Sequence, residues 1–184
     1  SDLEEVEKRA EEIIRRNKEE LEKVLRESKD IIDKNRKLNK ESLDEVKRII
    51  ERLEDLLRKD GRSERVEELV RKVDREIREV IKRNRELNER SVRELEKLNR
   101  ESEKLDRESK KELDDLIRDL ERRSDTEEVR KVAKKIRDEA KKSHDESKKL
   151  NDTSRDLVRK SKEEAERIDE EMKKLLKEIK DKVR

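Results

Sequence analysis

The sequence predicts an all-α protein, an up-down-up antiparallel three-helix bundle of long, coiled-coil-like helices that spans residues 1–184 as a single domain. Three observations support this prediction. Charged residues make up 61% of the chain and hydrophobic residues only 27%, which is too little for a thick core. Proline is absent and glycine occurs once, whereas disordered chains of low hydrophobicity are usually rich in both. Apolar and small residues recur at steps of three and four, the spacing of one helix face, along almost the whole chain.

The first helix is predicted over residues 2–59. Its inward-facing positions start at Leu3, include Leu38 and end at Leu56, with a mean spacing of about 3.5 residues per turn. This spacing predicts one inward stripe and slight left-handed supercoiling. Further apolar residues flank the stripe and make it wider than a narrow seam, namely Ile14, Leu25, Ile32, Leu43 and Ile50.

The first turn is predicted around the single glycine. Arg58 and Lys59 complement the carbonyl end of the first helix, and Gly61 suits a left-handed position just beyond it. Ser63 then begins the second helix, which is predicted over residues 63–122. So short a connection makes the two helices antiparallel neighbours.

The second turn carries similar signals. Either Ser124 or Asp125 is expected to cap the third helix, with Glu127 or Glu128 completing a capping box. The third helix is predicted over residues 126–183.

The second and third helices each carry an inward stripe like that of the first. The second stripe runs from Val66 through Leu105 to Leu120, and the third runs from Val129 to Ile179. Each has the helical spacing of three and four, so the three helices repeat one sequence pattern and are not separate domains.

The motif Leu-Asn-x-x-Ser occurs four times, as LNKES from Leu38, LNERS from Leu87, LNRES from Leu98 and LNDTS from Leu150. Its polar residues fall on or beside the inward stripes. A buried amide or hydroxyl without a partner costs about 1–3 kcal/mol, so these groups are expected to bond one another. The predicted buried polar network is Asn17, Ser28, Asn35, Asn39, Ser42, Asn84, Asn88, Ser91, Asn99, Ser102, Ser109, Ser143, Ser147, Asn151, Ser154 and Ser161.

Hairpins centred on the two turns predict which polar residues share a height. The expected neighbours are Asn35 with Asn88 and Ser161, Asn39 with Asn84, Ser28 with Ser154, Ser102 with Ser147, and Asn17 with Ser143. Because hydrogen bonds are directional, such layers fix helix register where leucine alone would permit sliding by a heptad. The alternative is that these residues are solvated at the stripe edge, above all Asn39, Asn99 and Asn151.

The sequence offers no chemistry for catalysis, a cofactor or a metal. His144 is the only histidine, and no carboxylate or second histidine lies three or four residues away on its helix face. It is interpreted as a member of a polar layer or as a surface residue. There is no cysteine, and Gly61 stands alone, so neither thiolate chemistry nor a phosphate-binding loop is predicted. The chain is therefore predicted not to be an enzyme.

Composition also argues against several classes of partner. The net charge is only +2, and Phe, Tyr and Trp are absent, so neither nucleic acid nor a membrane surface is an expected partner. A small-molecule ligand is not expected either. No signal peptide or transmembrane segment is recognised, which predicts a soluble protein whose location is unknown.

The pattern resembles computationally designed helical bundles with buried hydrogen-bond networks. The resemblance covers the whole chain and rests on near-equal helix lengths, the turns DGRSERVEE and RSDTEEVRK, and polar layers such as that of Asn35, Asn88 and Ser161. It implies a designed scaffold without enzymatic activity. One alternative is that the chain is a three-helix component that binds a separate fourth helix, and the flanking apolar residues of the first helix support it. Self-association is another alternative, and a monomer is favoured. A natural coiled-coil spacer is a further reading, and it predicts unequal helices and looser capping.

Overall fold

In a computed structural model of the chain, residues 2–60 and 63–183 are described, and nearly all of them are helical. Helix α1 is Asp2–Lys59, α2 is Ser63–Arg123 and α3 is Glu127–Val183. The predicted fold class is confirmed, because the chain is an all-α bundle of three antiparallel helices. The predicted left-handed position at Gly61 lies outside the described residues, as does the side chain of Ser63.

The cap of α3 differs from the sequence prediction. The hydroxyl of Thr126 accepts a hydrogen bond from the Val129 N–H at 3.2 Å, and the Thr126 carbonyl accepts from the Arg130 N–H at 3.1 Å. Thr126 is therefore the N-cap, and the expectation of Ser124 or Asp125 is wrong. Because the capping-box position is then occupied by a valine, no box forms at this helix start.

The chain divides into two compact units, each of which contains segments of all three helices. The first unit combines α1 up to Lys29 with Leu95–Leu157. Its apolar core lies around the second turn and includes two buried alanines. This core consists of Ala10, Leu113, Ile117, Leu120, Val129, Ala133 and Ile136.

The second unit combines Asp30–Glu94 with α3 from Val158 onward. Its core is larger and is built from Leu, Ile, Val and Met side chains. The buried members are Val46, Ile49, Leu53, Val73, Ile77, Val80, Ile81, Met172, Leu176 and Ile179.

Buried positions eleven residues apart recur along each helix. Examples are Asn17, Ser28 and Asn39 in α1, and Asn84, Leu95, Asp106 and Ile117 in α2. Eleven residues in three turns is about 3.7 per turn, so a stripe drawn at 3.5 falls one residue short by mid-helix. The inward predictions for Leu38 and Leu56 are accordingly wrong, because Leu38 is 36% exposed and Leu56 47% exposed, whereas Asn39 is buried. Likewise Asp106 is buried where Leu105 was expected.

Candidate functional site: polar layers between the helices

A chain of asparagine side chains joins α1 to α2 in the second unit. The Asn35 amide nitrogen donates to Asn88 Oδ1 at 2.6 Å, and the Asn88 amide nitrogen donates to Asn39 Oδ1 at 2.7 Å. Asn88 also donates to the backbone carbonyl of Asn84 at 3.0 Å, and Ser91 donates to Asn35 Oδ1 at 3.2 Å. One α2 residue thus engages two α1 residues that lie one helical turn apart.

A second polar layer joins all three helices in the first unit. The Asn17 amide nitrogen donates to Ser147 Oγ at 3.1 Å and to Asp106 Oδ1 at 3.3 Å. The other carboxylate oxygen of Asp106 lies 3.1 Å from His144 Nδ1. Asp106 is 9% exposed, so this carboxylate is held in the core by an amide and an imidazole.

Two further contacts in the first unit join α2 to α3. Ser102 donates to Asn151 Oδ1, and Ser154 donates to Asn99 Oδ1. Both asparagines are half-buried and both serines are buried. Each contact therefore places the amide at the edge of the helix interface and the hydroxyl inside it.

Some buried polar atoms have no hydrogen-bond partner within residues 2–60 and 63–183. They include both side-chain amide atoms of Asn84, which is 1% exposed, together with Ser28 Oγ and Asn17 Oδ1. Asn84 and Asn88 are the same residue type on the same helix face, yet one amide is unpaired and the other makes three bonds. Burial alone therefore does not identify which asparagines connect helices.

The sixteen sequence-predicted polar residues differ in placement. Asn17, Ser28, Asn35, Asn39, Asn84, Asn88, Ser102, Ser109, Ser143, Ser147, Ser154 and Ser161 are buried, and Ser42, Ser91, Asn99 and Asn151 are half-buried. Side-chain hydrogen bonds bring together Asn17 with Ser147, Asn35 with Asn88 and Ser91, Asn39 with Asn88, Ser102 with Asn151, and Asn99 with Ser154. In the described part of the chain, no such bond reaches the side chains of Ser28, Ser42, Asn84, Ser109, Ser143 or Ser161.

Several expected neighbours are replaced by a residue one helical turn away. Ser102 bonds Asn151 rather than Ser147, and Asn39 bonds Asn88 rather than Asn84. Asn17 likewise bonds Ser147 in place of Ser143. A hairpin centre read from the sequence fixes height only to within about a turn, and the side-chain geometry selects among neighbouring turns.

Asp106 is the residue of these layers that the sequence interpretation missed. In a chain with so many carboxylates, its type carries no signal. Its position carries a signal, because Asp106 lies eleven residues after Leu95 and eleven before Ile117, and both of those residues are buried. The eleven-residue spacing would have assigned it to the inward face of α2.

Ion pairs lie beside the apolar core of the second unit. Asp74 accepts a hydrogen bond from Arg78 Nε at 2.9 Å and forms an ion pair with Lys180 of α3. Burial by itself raises the pKa of the Asp74 carboxyl, but the hydrogen bonds from Lys180 and Arg78 together outweigh it and lower the pKa below its ordinary value. On α1, the Arg36 guanidinium bonds both carboxylate oxygens of Glu164 at 3.0 Å, which raises the pKa of Arg36.

We expect the variant Asp74→Asn to be less stable than the parent near neutral pH and to approach it in acid. A carboxyl whose pKa is lowered by folding stabilises the fold above its ordinary pKa, and that contribution is lost as the pH falls through the folded value, below about pH 4. Urea denaturation of both proteins near neutral pH and near pH 3 measures the effect. The exposed Asp30→Asn is the matched control, and an equal pH profile for the two variants would contradict the assignment.

Two other features, a metal-binding cluster and a membrane-spanning helix, are absent from the described residues. In the described residues, no group of three or more His, Cys, Asp or Glu side chains is placed to hold a metal ion. Across residues 2–60 and 63–183, the helices contain no stretch that is long and apolar enough to cross a membrane.

Comparison with solved structures shows a likeness in fold. A solved structure described as a "Computationally designed three helix bundle" has a TM-score of 0.58 to this chain at 19% sequence identity. The alignment covers 99% of this chain and 95% of the other. No protein-family model matches the sequence, and no curated protein matches it. At this identity the likeness establishes the fold, which is a three-helix bundle.

Proposed function

We propose that the chain is a computationally designed structural scaffold without enzymatic activity, in which Asn and Ser layers set which residues of neighbouring helices face each other. Support for a designed origin comes from the bundle that it resembles in fold and from the acid-first, base-last charging of its helices. In this proposal the whole chain folds as one three-helix bundle.

The bonding of Asn88 carries the proposal. Its amide oxygen accepts from Asn35 while its amide nitrogen donates to Asn39, so the two ends of one group are matched to two α1 positions. Sliding α2 by a heptad would leave these buried amides unpaired, at a cost of about 1–3 kcal/mol for each group. The leucines and valines of the core distinguish such registers far less, because apolar contacts have no direction.

The contact between His144 and Asp106 fits the same role. Asn17 bonds Asp106 on α2 and Ser147 on α3, so it ties three helices at one height. The imidazole bonds the remaining carboxylate oxygen. Every member of the group then has a structural task, and the chain needs no reaction to explain its single histidine.

The test is to replace Asn35, Asn39 and Asn88 together with leucine. Joint replacement leaves few stranded partners, so we expect the variant to stay helical and at least as stable as the parent while losing its unique arrangement. Native mass spectrometry measures association, and the dispersion of amide NMR signals measures structural uniqueness. The matched control combines Ser28→Val, Asn84→Leu and Ser161→Val, which removes buried polar groups without side-chain partners.

The control is expected to behave as the parent does in both measurements. If the triple leucine variant remains monodisperse and as well dispersed as the control, the polar layers do not set register. If it unfolds outright, the layers supply stability rather than specificity, which also contradicts the proposal.

A further inference from the structure

A groove of about 510 Å³ lies between α2 and α3 in the second unit. Its floor is formed by Asn88, which is buried, and by Val92 and Ala165, which are half-buried. The two apolar floor residues are a valine and an alanine, which leave space above them, and the groove lies in the same unit as the larger apolar core. The groove can therefore accept large apolar side chains from outside the three helices.

The rim of the groove is charged, and the register of α2 against α3 shows which charges share a level. Arg85 bonds Asp169 at 3.1 Å, and a second ion pair, Asp74 with Lys180, lies eleven residues further along both helices. The same register places Glu89 within one residue of the level of Glu166. It likewise places Arg93 within one residue of the level of Lys162. All four of these side chains line the groove.

Like charges consequently face each other at two successive levels of the rim. Two carboxylates, Glu89 and Glu166, lie on one level, and two cations, Arg93 and Lys162, lie on the other. Within residues 2–60 and 63–183, neither carboxylate has an ion-pair partner. The levels are four residues apart along α2, which is about 6 Å at the rise of an α-helix. The two carboxylates repel each other across the groove and attract a cation placed between its two walls.

We infer that this groove binds a separate amphipathic α-helix that carries an acidic and a basic residue four positions apart beside a stripe of large apolar side chains. The acidic residue lies between Arg93 and Lys162, and the basic residue lies between Glu89 and Glu166. Each partner side chain then meets two charges at once. The apolar stripe covers the small residues of the groove floor, as in other helix-in-groove complexes.

One helix fits these observations better than a broader partner. A single row of side chains between two walls satisfies both walls together, and the spacing of the charged levels is that of one helical turn. The inference goes beyond the scaffold function and does not depend on the polar layers setting register. Its failure would leave that proposal unaffected.

The test uses two fluorescein-labelled helical peptides with the same leucine stripe, one with Glu and Lys four positions apart and the other with Glu at both positions. Fluorescence anisotropy measures their binding to the full chain at low salt. We expect the Glu–Lys peptide to bind about tenfold more tightly, which corresponds to about 1.4 kcal/mol from two rim charges that change from attraction to repulsion. The preference should weaken as salt is added.

The decisive protein variant is Glu89→Lys with Glu166→Lys, which makes both levels of the rim positive. We expect this variant to reverse the preference, so that the Glu–Glu peptide binds more tightly. The control variant Glu41→Lys with Glu68→Lys changes the net charge equally at exposed positions outside the groove and should keep the parent's order. Ala165→Leu, which fills the groove floor, should weaken both peptides.

Three results would overturn the inference. The first is that neither peptide binds. The second is that the order of the two peptides stays the same when Glu89 and Glu166 become lysine. The third is that sedimentation finds a dimer of the chain that the same two substitutions dissociate, which would identify a second copy as the occupant.

Discussion

Asn88→Leu is expected to lower the free energy of unfolding by about 2 kcal/mol or more, while Asn84→Leu is expected to raise it by about 1 kcal/mol. The first substitution strands the Asn35 amide nitrogen and the Asn39 amide oxygen inside the bundle, and each stranded group costs about 1–3 kcal/mol. The second removes a buried amide that has no side-chain partner in the described residues. Urea denaturation of the two variants and the parent measures both changes.

The two asparagines control for each other. They lie one turn apart on α2, are 1% and 6% exposed, and receive the same substitution, so helix propensity and added apolar volume change equally. Only their hydrogen bonds differ. Equal changes in stability for the two variants would mean that the bonds of Asn88 contribute nothing beyond burial.

Asn17→Leu should lower the free energy of unfolding by about 2–3 kcal/mol, because it removes the amide donor from a buried carboxylate. Adding Asp106→Leu should restore most of that loss, since the carboxylate that was left short of a donor is then gone. The parent, the two single variants and the double variant form a thermodynamic cycle that isolates the coupling of the pair.

The size of the coupling free energy shows whether the two side chains act together. Strong coupling is expected because Asn17 and Asp106 are in contact and both are buried. If the two substitutions act additively, the amide and the carboxylate contribute independently, and the layer that joins the three helices is not an energetic unit. His144 stays in all four proteins, so its contact with Asp106 is lost equally in the two that lack the carboxylate.

The positions of the helices were predictable because their ends are marked chemically. The basic residues Arg58, Lys59, Arg122 and Arg123 close two helices, and the only glycine of the chain lies between α1 and α2. The cap at Thr126 was less predictable, because Ser124, Asp125 and Thr126 are all good capping residues and only the backbone decides among them.

The exact partners of the polar side chains could not be read from the sequence. A stripe drawn at 3.5 residues per turn drifts from one that repeats every eleven, so Leu38 was expected on the inward face and is exposed instead. Which residues bond across helices also depends on the rotamer of each side chain. Ser102, for example, bonds Asn151 rather than Ser147. The kind of residue in the layers was therefore predictable, and the individual bonds were not.

The most direct measurement is hydrogen exchange of the asparagine side-chain amides by NMR. The amide nitrogens of Asn17, Asn35 and Asn88 donate hydrogen bonds, whereas Asn99 and Asn151 take part in theirs through the oxygen. If amides and hydroxyls bond between the helices as described, the side-chain protons of the first three will exchange far more slowly than those of Asn99 and Asn151. Equal and rapid exchange at all five would contradict the existence of the polar layers.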